Sequence, residues 1–315
     1  MKKLIFIISI IILFVAPSIG QIDISLANLF DKDNMHYQVF WDIRVPRVIL
    51  AFFTGAILAT GGLIFQSVFR NPMGTPFTLG VASGATLFTA IGIILGLGVF
   101  ISFFAFLGAV FTIFILFLVV SRFKSYDTSS LLLVGIALSF FYSASLMVMF
   151  FISDLNESYE IVRFTMGSLS TVGYQDSLLI AIASLFMLVL IYKYKSELKL
   201  LLTSYQFAKL KGVNVKRVNY ILLFSVSIGV GIAVSITGPI GFVGLIIPHI
   251  IKTIYQQSND KLILPTFFYG GVFLVFCDIL ARKLGINSDI PIGVVTSFIG
   301  APFFIYLIIK RKKGN

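Results

Sequence analysis

The sequence predicts an all-α polytopic membrane protein of about ten transmembrane helices, and three observations carry that reading. Of 315 residues, 58% are hydrophobic and only 12% charged, against about 25% charged in an ordinary soluble domain. The apolar residues fall in long continuous runs rather than short alternating segments, which excludes a transmembrane β-barrel. The basic residues gather at alternate ends of those runs, as the positive-inside rule asks of membrane helices.

A helix crosses the hydrocarbon with roughly 20 apolar residues. On that measure crossings are expected at about 3–20, 46–69, 77–98, 100–121, 129–152, 176–192, 218–237, 241–256, 262–281 and 291–309. The first run, "MKKLIFIISIIILFVAPSIGQ", also has the form of a secretory signal, with two lysines, an apolar core and small residues behind it. The residues alone leave both readings open. The second run ends at Arg70, and "RNPMGTPFTLGVASGA" (70–85) follows, with Pro72, Gly74, Pro76, Gly80 and Gly84 in one linker. The third and fourth runs part near Gly98. The seventh gives way to a second Gly/Pro-rich break, "TGPIGFVG" (237–244). Matching breaks after the second and seventh crossings, on opposite faces, suggest two inverted five-helix halves, a signature of transporters.

Counted from an inside N-terminus, 18 of the 24 Lys and Arg fall on one side: Lys2, Lys3, Arg70, Arg122, Lys124, the 193–217 cluster, Lys252, Lys261 and "KRKK" at 310–313. The outer loops hold Lys32, Arg44, Arg47, Arg163, Arg282 and Lys283. This places both termini in the cytoplasm and the chain in the plasma (cell inner) membrane. It also accounts for the net charge of +11 without a nucleic-acid partner.

Catalytic chemistry has little to stand on. There is no GxxxxGK[ST] phosphate loop, no Ser-His-Asp pattern and no Gly-rich nucleotide fingerprint. The two histidines, His36 and His249, form no Cys/His cluster, so no metal or other cofactor is expected. His249 reads as a structural or interfacial residue. Cys277 is the single cysteine and permits no intrachain disulfide. Asp278 is the one clear ionisable group inside an apolar run. Arg282 stands four residues on, on the same helical face, so a local ion pair is expected. The rival is an ion-coupled secondary transporter, which would put such a group to use.

The segment "KYKSELKLLLTSYQFAKLKGVNVKR" (193–217) is the longest inside connection. Leu198, Leu201, Leu202, Tyr205 and Ala208 recur at helical spacing, and Gly212 can end the helix in a left-handed conformation. A short amphipathic helix there would dock either a partner protein or lipid headgroups.

The segment 42–85, "DIRVPRVILAFFTGAILATGGLIFQSVFRNPMGTPFTLGVASGA", resembles the permease subunits of iron-chelate and cobalamin ABC importers, the FecCD family. The family pattern is R-x-P-R, a small-residue helix ending in G-x-x-x-Q, then R-N-P-x-x-x-P-x-x-L-G-x-x-x-G. Arg44, Pro46, Arg47, Gly62, Gln66, Arg70, Asn71, Pro72, Pro76, Leu79, Gly80 and Gly84 match it. "LLLVGIALS" (131–139), "GPIGFVGLIIPHI" (238–250) and "IPIGVVTSFIGAPFFIYLI" (290–308) agree in order and spacing, so the resemblance covers nearly all of the chain past residue 40. Gly74 stands where the family usually has Ala. "TSYQFAKLKGV" departs further, since the usual acidic residue is absent although Ala208 and Gly212 keep the frame.

The resemblance implies a single permease domain over 1–315 with the type II ABC importer fold, in which 193–217 is the coupling-helix loop. It implies cytoplasmic ATPase subunits that hydrolyse ATP, a second permease copy or paralogue, and a substrate-binding protein outside. The cargo it favours is a ferric siderophore, with cobalamin or haem as alternatives. Residue by residue, Arg44, Arg47 and Arg282 match arginines that receive carboxylates of the binding protein, a role that suits the guanidinium fork. Snorkelling at the membrane interface is the other reading of Arg44 and Arg47. Asn71, Met73, Thr128 and Ser129 match a cytoplasmic gate, and Thr128 and Ser129 also suit the start of a helix. Leu201, Tyr205, Ala208 and Gly212 fall on the coupling helix.

Overall fold

The first apolar run forms helix α1 (Lys2–Val15) in a computed structural model that describes residues 2–21, 33–122, 128–285 and 288–313. Every regular element among the described residues is a helix. The remainder are α2 (Met35–Val68), α3 (Val81–Ile94), α4 (Ile101–Arg122), α5 (Thr128–Ile152), α6 (Leu155–Met166), α7 (Gln175–Lys193), α8 (Lys195–Thr203), α9 (Tyr205–Leu210), α10 (Val215–Thr237), α11 (Val243–Tyr255), α12 (Asn259–Leu284) and α13 (Ile292–Lys313). Each expected crossing carries a helix. Among the described residues five stretches are long and apolar enough to span a bilayer on their own: α2, Leu133–Ile152 of α5, α7, α10 and α12.

The axis of the bundle is α2, which is almost entirely buried over Val45–Val68 because its small residues let neighbours approach closely. Gly62 is the sharpest case: a Cβ there would meet the Gly244 carbonyl at 1.9 Å, so α2 and α11 cross backbone to backbone. The principal packing of α2 is on α12, and α10 in turn packs on α4. The neighbours α3 and α4 pair, as do α11 and α12. These are the pairings two like halves would produce.

Helix α2 begins earlier than expected. Pro46 was read as its start, yet the helix enters at Met35 and passes through a wider π-helical stretch, Val39–Arg44. A proline inside a helix leaves the carbonyl four residues back without its donor. Here that carbonyl belongs to Asp42, and the Gly173 amide takes it at 2.7 Å. Pro248 in α11 does the same to Gly244, whose carbonyl accepts from Gln66 Nε2 at 3.1 Å. Both interruptions are therefore satisfied from a different segment.

The two helices that follow the breaks are short. With 14 residues in α3 and 13 in α11, each rises about 20 Å, against roughly 30 Å of hydrocarbon. The irregular stretches 70–80 and 238–242 supply the missing depth.

Helix α6 was not expected. Its start is a capping box: Asp154 Oδ1 accepts from the Glu157 amide at 2.8 Å, and Glu157 Oε2 from the Asp154 amide at 3.0 Å. The single amphipathic helix expected over 198–212 is instead two, because Ser204 is extended and its hydroxyl caps the start of α9. Gly212 does end α9 in the left-handed region, at φ +81°.

Candidate functional site

The contacts sort the helix ends into two sets, named inner and outer here after the charge split. The inner set holds Lys2, Gln66, Arg70, Leu201, Lys252 and Asn259; Asn259 Nδ2 donates to Ser67 Oγ at 2.6 Å, and the Lys2 ammonium lies 4.9 Å over the Tyr255 ring. The outer set holds residues 16–21, Arg44, Arg47, Tyr174, Asp278, Arg282 and Asp289. Tyr174 donates to the Trp41 carbonyl at 2.8 Å. Burial, and then the nearby Asp42 carboxylate, push its phenol above the ordinary range, so it stays protonated.

Between the two ends the Pro/Gly breaks meet. Leaving α2, the chain turns at Arg70, which sits at φ +48°. A non-glycine residue in that region costs about 1–2 kcal/mol, and such strain gathers at functional positions. The backbone groups that follow are satisfied within the stretch. Asn71 Oδ1 accepts from the Met73 amide at 2.9 Å, Thr78 Oγ1 donates to the Met73 carbonyl at 2.9 Å, and Thr75 and Thr78 exchange amide–hydroxyl bonds at 3.0 and 3.1 Å. The second break arrives from the outer side and turns at Phe242, φ +66°. Phe77 of the first break faces Gly241 of the second, where a Cβ would stand 3.4 Å from the ring.

An open cavity of about 640 Å³ lies beside this meeting point, lined by Phe77, Met166, Pro239, Gly241, Ser297 and Phe298 among others. Non-helical backbone at membrane depth survives only where protein or a water-filled cavity satisfies it, and in the first break the Asn71, Thr75 and Thr78 side chains do so. Among the described residues no titratable side chain lines the cavity, and no cluster of His, Cys, Asp or Glu could hold a metal ion. Its polar side chains are the Thr165 and Ser297 hydroxyls, and the rest of the described wall is apolar or glycine.

The three arginines expected to dock a binding protein come together at the outer end, but their guanidinium groups turn inward. Arg44, Arg47 and Arg282 are only 5, 8 and 4% exposed. Arg44 donates to the Pro17 and Ser18 carbonyls. Arg47 bonds Asp278 Oδ1 at 2.8 Å and pairs with Asp289. Arg282 pairs with Asp278 Oδ2 at 3.0 Å, the expected local ion pair, and donates to the Ala16 and Ile19 carbonyls. Two cations and two carboxylates thus balance in a buried cluster that ties α2, α12 and the 288–291 stretch together. Asp289 was missed by sequence reasoning. Arg163 and Lys283 are the exposed bases of the described outer surface.

At the inner end Met73 is exposed and Asn71 half-buried, its side chain already engaged in the turn. Thr128 and Ser129 open α5, and Tyr205 opens α9; the side chains of all three lie outside the described residues. Leu201 and Ala208 are buried against the bundle. The described part of the apolar stripe of 193–217 therefore packs on this chain, and the large apolar side chains left outward are Phe207, 42% exposed, and Leu210, 86% exposed.

Broken helices around a chemically inert cavity, in a multi-pass helical bundle, define a transport permease. The profile of the FecCD transport family matches residues 5–310, and the chain belongs to that family. It is 32% identical over 303 residues to the molybdate import system permease protein MolB of Haemophilus influenzae, covering 95% of this chain and 89% of that one. It is 34% identical over 277 residues to a probable iron chelatin transport system permease protein of Helicobacter pylori, covering 87% and 83%. Its fold matches that of a solved inward-facing conformation of a proposed metal-chelate type ABC transporter, with a TM-score of 0.87 at 29% identity, covering 98% of this chain and all of the other. The chain is an ABC importer permease, a transport subunit.

Proposed function

We propose that this permease moves a ferric siderophore into the cytoplasm, driven by ATP hydrolysis on a separate ATPase subunit. The observation that carries the reading is the cavity where the two breaks meet. It is roomy, apolar and free of titratable side chains, which suits iron that arrives already wrapped in its chelator. A bare oxyanion would ask for fixed charge or many donors.

The ATPase docks at α8–α9 through Phe207 and Leu210, while Leu201, Ala208 and Gly212 hold that loop on the bundle and Tyr205 opens α9. The gate lies at Asn71 and Met73, joined by Thr128 and Ser129. A second permease copy seats on the exposed faces of α5 and α13. The binding protein approaches from the outer end, where Arg44, Arg47 and Arg282 frame its seat from below and Arg163 and Lys283 offer exposed charge. The termini are cytoplasmic.

Reconstitution with the ATPase and binding protein in proteoliposomes tests the cargo. ATP-dependent uptake of an iron-55 ferric hydroxamate is expected. Uptake of haem, cobalamin or molybdate in its place would overturn the siderophore assignment.

A further inference from the structure

Arg70 links two elements of the inner end. Its guanidinium donates from Nη2 to the Leu201 carbonyl at 2.6 Å. Leu201 lies in the last turn of α8, and the final carbonyls of a helix have no partner within it. Arginine is suited to such a carbonyl, both as a donor and as a charge facing the negative end of the helix dipole. The bond spans 131 residues of sequence and joins the end of α2 to the loop that carries Phe207 and Leu210.

The backbone of the same residue sets the course of the gate stretch. At φ +48° it turns the chain out of α2, and Asn71 and Met73 follow in a tight turn closed by the Asn71 side chain. Four residues beyond Met73 stands Phe77, on the cavity wall against the second break. The stretch between is stiffened by the Thr75–Thr78 bonds. A displacement of α8 therefore has a direct route: through the Leu201 carbonyl to Arg70, and through its backbone to Met73.

We propose that Arg70 is the positioning residue that converts movement of α8–α9 into movement of the gate. It touches neither cargo nor nucleotide, and it acts by holding one rigid element to another. This rests on reading α8–α9 as the ATPase seat and 71–73 as a gate.

The test uses the full permease–ATPase complex, with Met73→Cys in a Cys277→Ser background, and follows the rate of maleimide labelling with and without ATP plus vanadate. In the parent, labelling is expected to change at least threefold between the two states. In Arg70→Ala the change is expected to fall below 1.5-fold although the ATPase still co-purifies. Arg70→Lys, which can still reach the Leu201 carbonyl, restores most of the parent response. Arg70→Gly removes the backbone strain as well as the donor, so it should behave like Arg70→Ala; it also carries the test if Arg70→Ala does not assemble. A parent-like response in Arg70→Ala or Arg70→Gly would overturn the proposal. A parent that shows no nucleotide dependence would sink the gate reading itself, and this proposal with it.

Discussion

Asp278 is fully buried between two guanidinium groups, bonded to Arg47 on α2 and paired with Arg282 one turn along its own helix. Removing one member of a buried ion network leaves an uncompensated charge, at a cost of about 3–5 kcal/mol. Asp278→Asn is therefore expected to destabilise the permease by an amount in that range, read as a lowered thermal unfolding midpoint in detergent, whereas Lys283→Ala on the exposed surface should stay within about 0.5 kcal/mol of the parent. Equal midpoints for Asp278→Asn and the parent would show that the cluster contributes nothing to stability. Part of this site was legible in the sequence. Spacing of four on a helix announces the Asp278–Arg282 pair, because that spacing shares a face. Arg47 and Asp289 could not be added, since they stand 242 residues apart and nothing local says which helix ends meet. The arginines' location was readable and their orientation was not: a motif places a side chain near a surface without saying whether its charge is already balanced from within.

The same distinction appears in the helices. Apolar spacing over 193–217 marks a buried face, and Leu198, Leu201 and Ala208 are indeed buried. Periodicity does not say what buries them, and here it is the permease itself. The break at Ser204 was equally hidden, because serine caps a helix start only where its own backbone is extended. Two substitutions separate the faces. Leu210→Glu is expected to abolish ATPase co-purification with an unchanged unfolding midpoint, while Leu198→Glu, which buries a charge, should prevent recovery of folded permease. Full co-purification with Leu210→Glu would remove this face from the docking surface. Helix α6 had a readable signal, the Asp-x-x-Glu spacing at 154–157, overshadowed by the longer apolar runs on either side.

For the molecule as a whole, composition and run length sufficed for an all-helical membrane bundle, since no other architecture hides so much apolar surface. The depth at which the two breaks meet was not available, because it depends on how far each short helix reaches. Apolar side chains stay exposed on several helices, as expected of a membrane bundle. Phe140 on α5 is 73% exposed and Phe298 on α13 is 83% exposed, the latter beside the cavity. A second copy seated on α5 and α13 would cover both. Phe140→Arg combined with Phe298→Arg is expected to convert a two-copy assembly to single permeases in native mass spectrometry, with helix content unchanged by circular dichroism. Persistence of the pair would place the partner on another face.

The prolines that interrupt α2 and α11 have a consequence for motion. Each leaves an acceptor that a different part of the chain has taken up: Asp42 by Gly173, and Gly244 by Gln66. Such an acceptor works as a peg that fits one hole. Sliding α2 along α11 by a single turn would strand the Gly244 carbonyl in a medium with nothing to replace its donor, and the same slide would drive the Gly62 crossing out of contact. Rotation about that crossing disturbs neither. Relative movement of α2 and α11 is thus expected to be a tilt about that crossing rather than a slide along it.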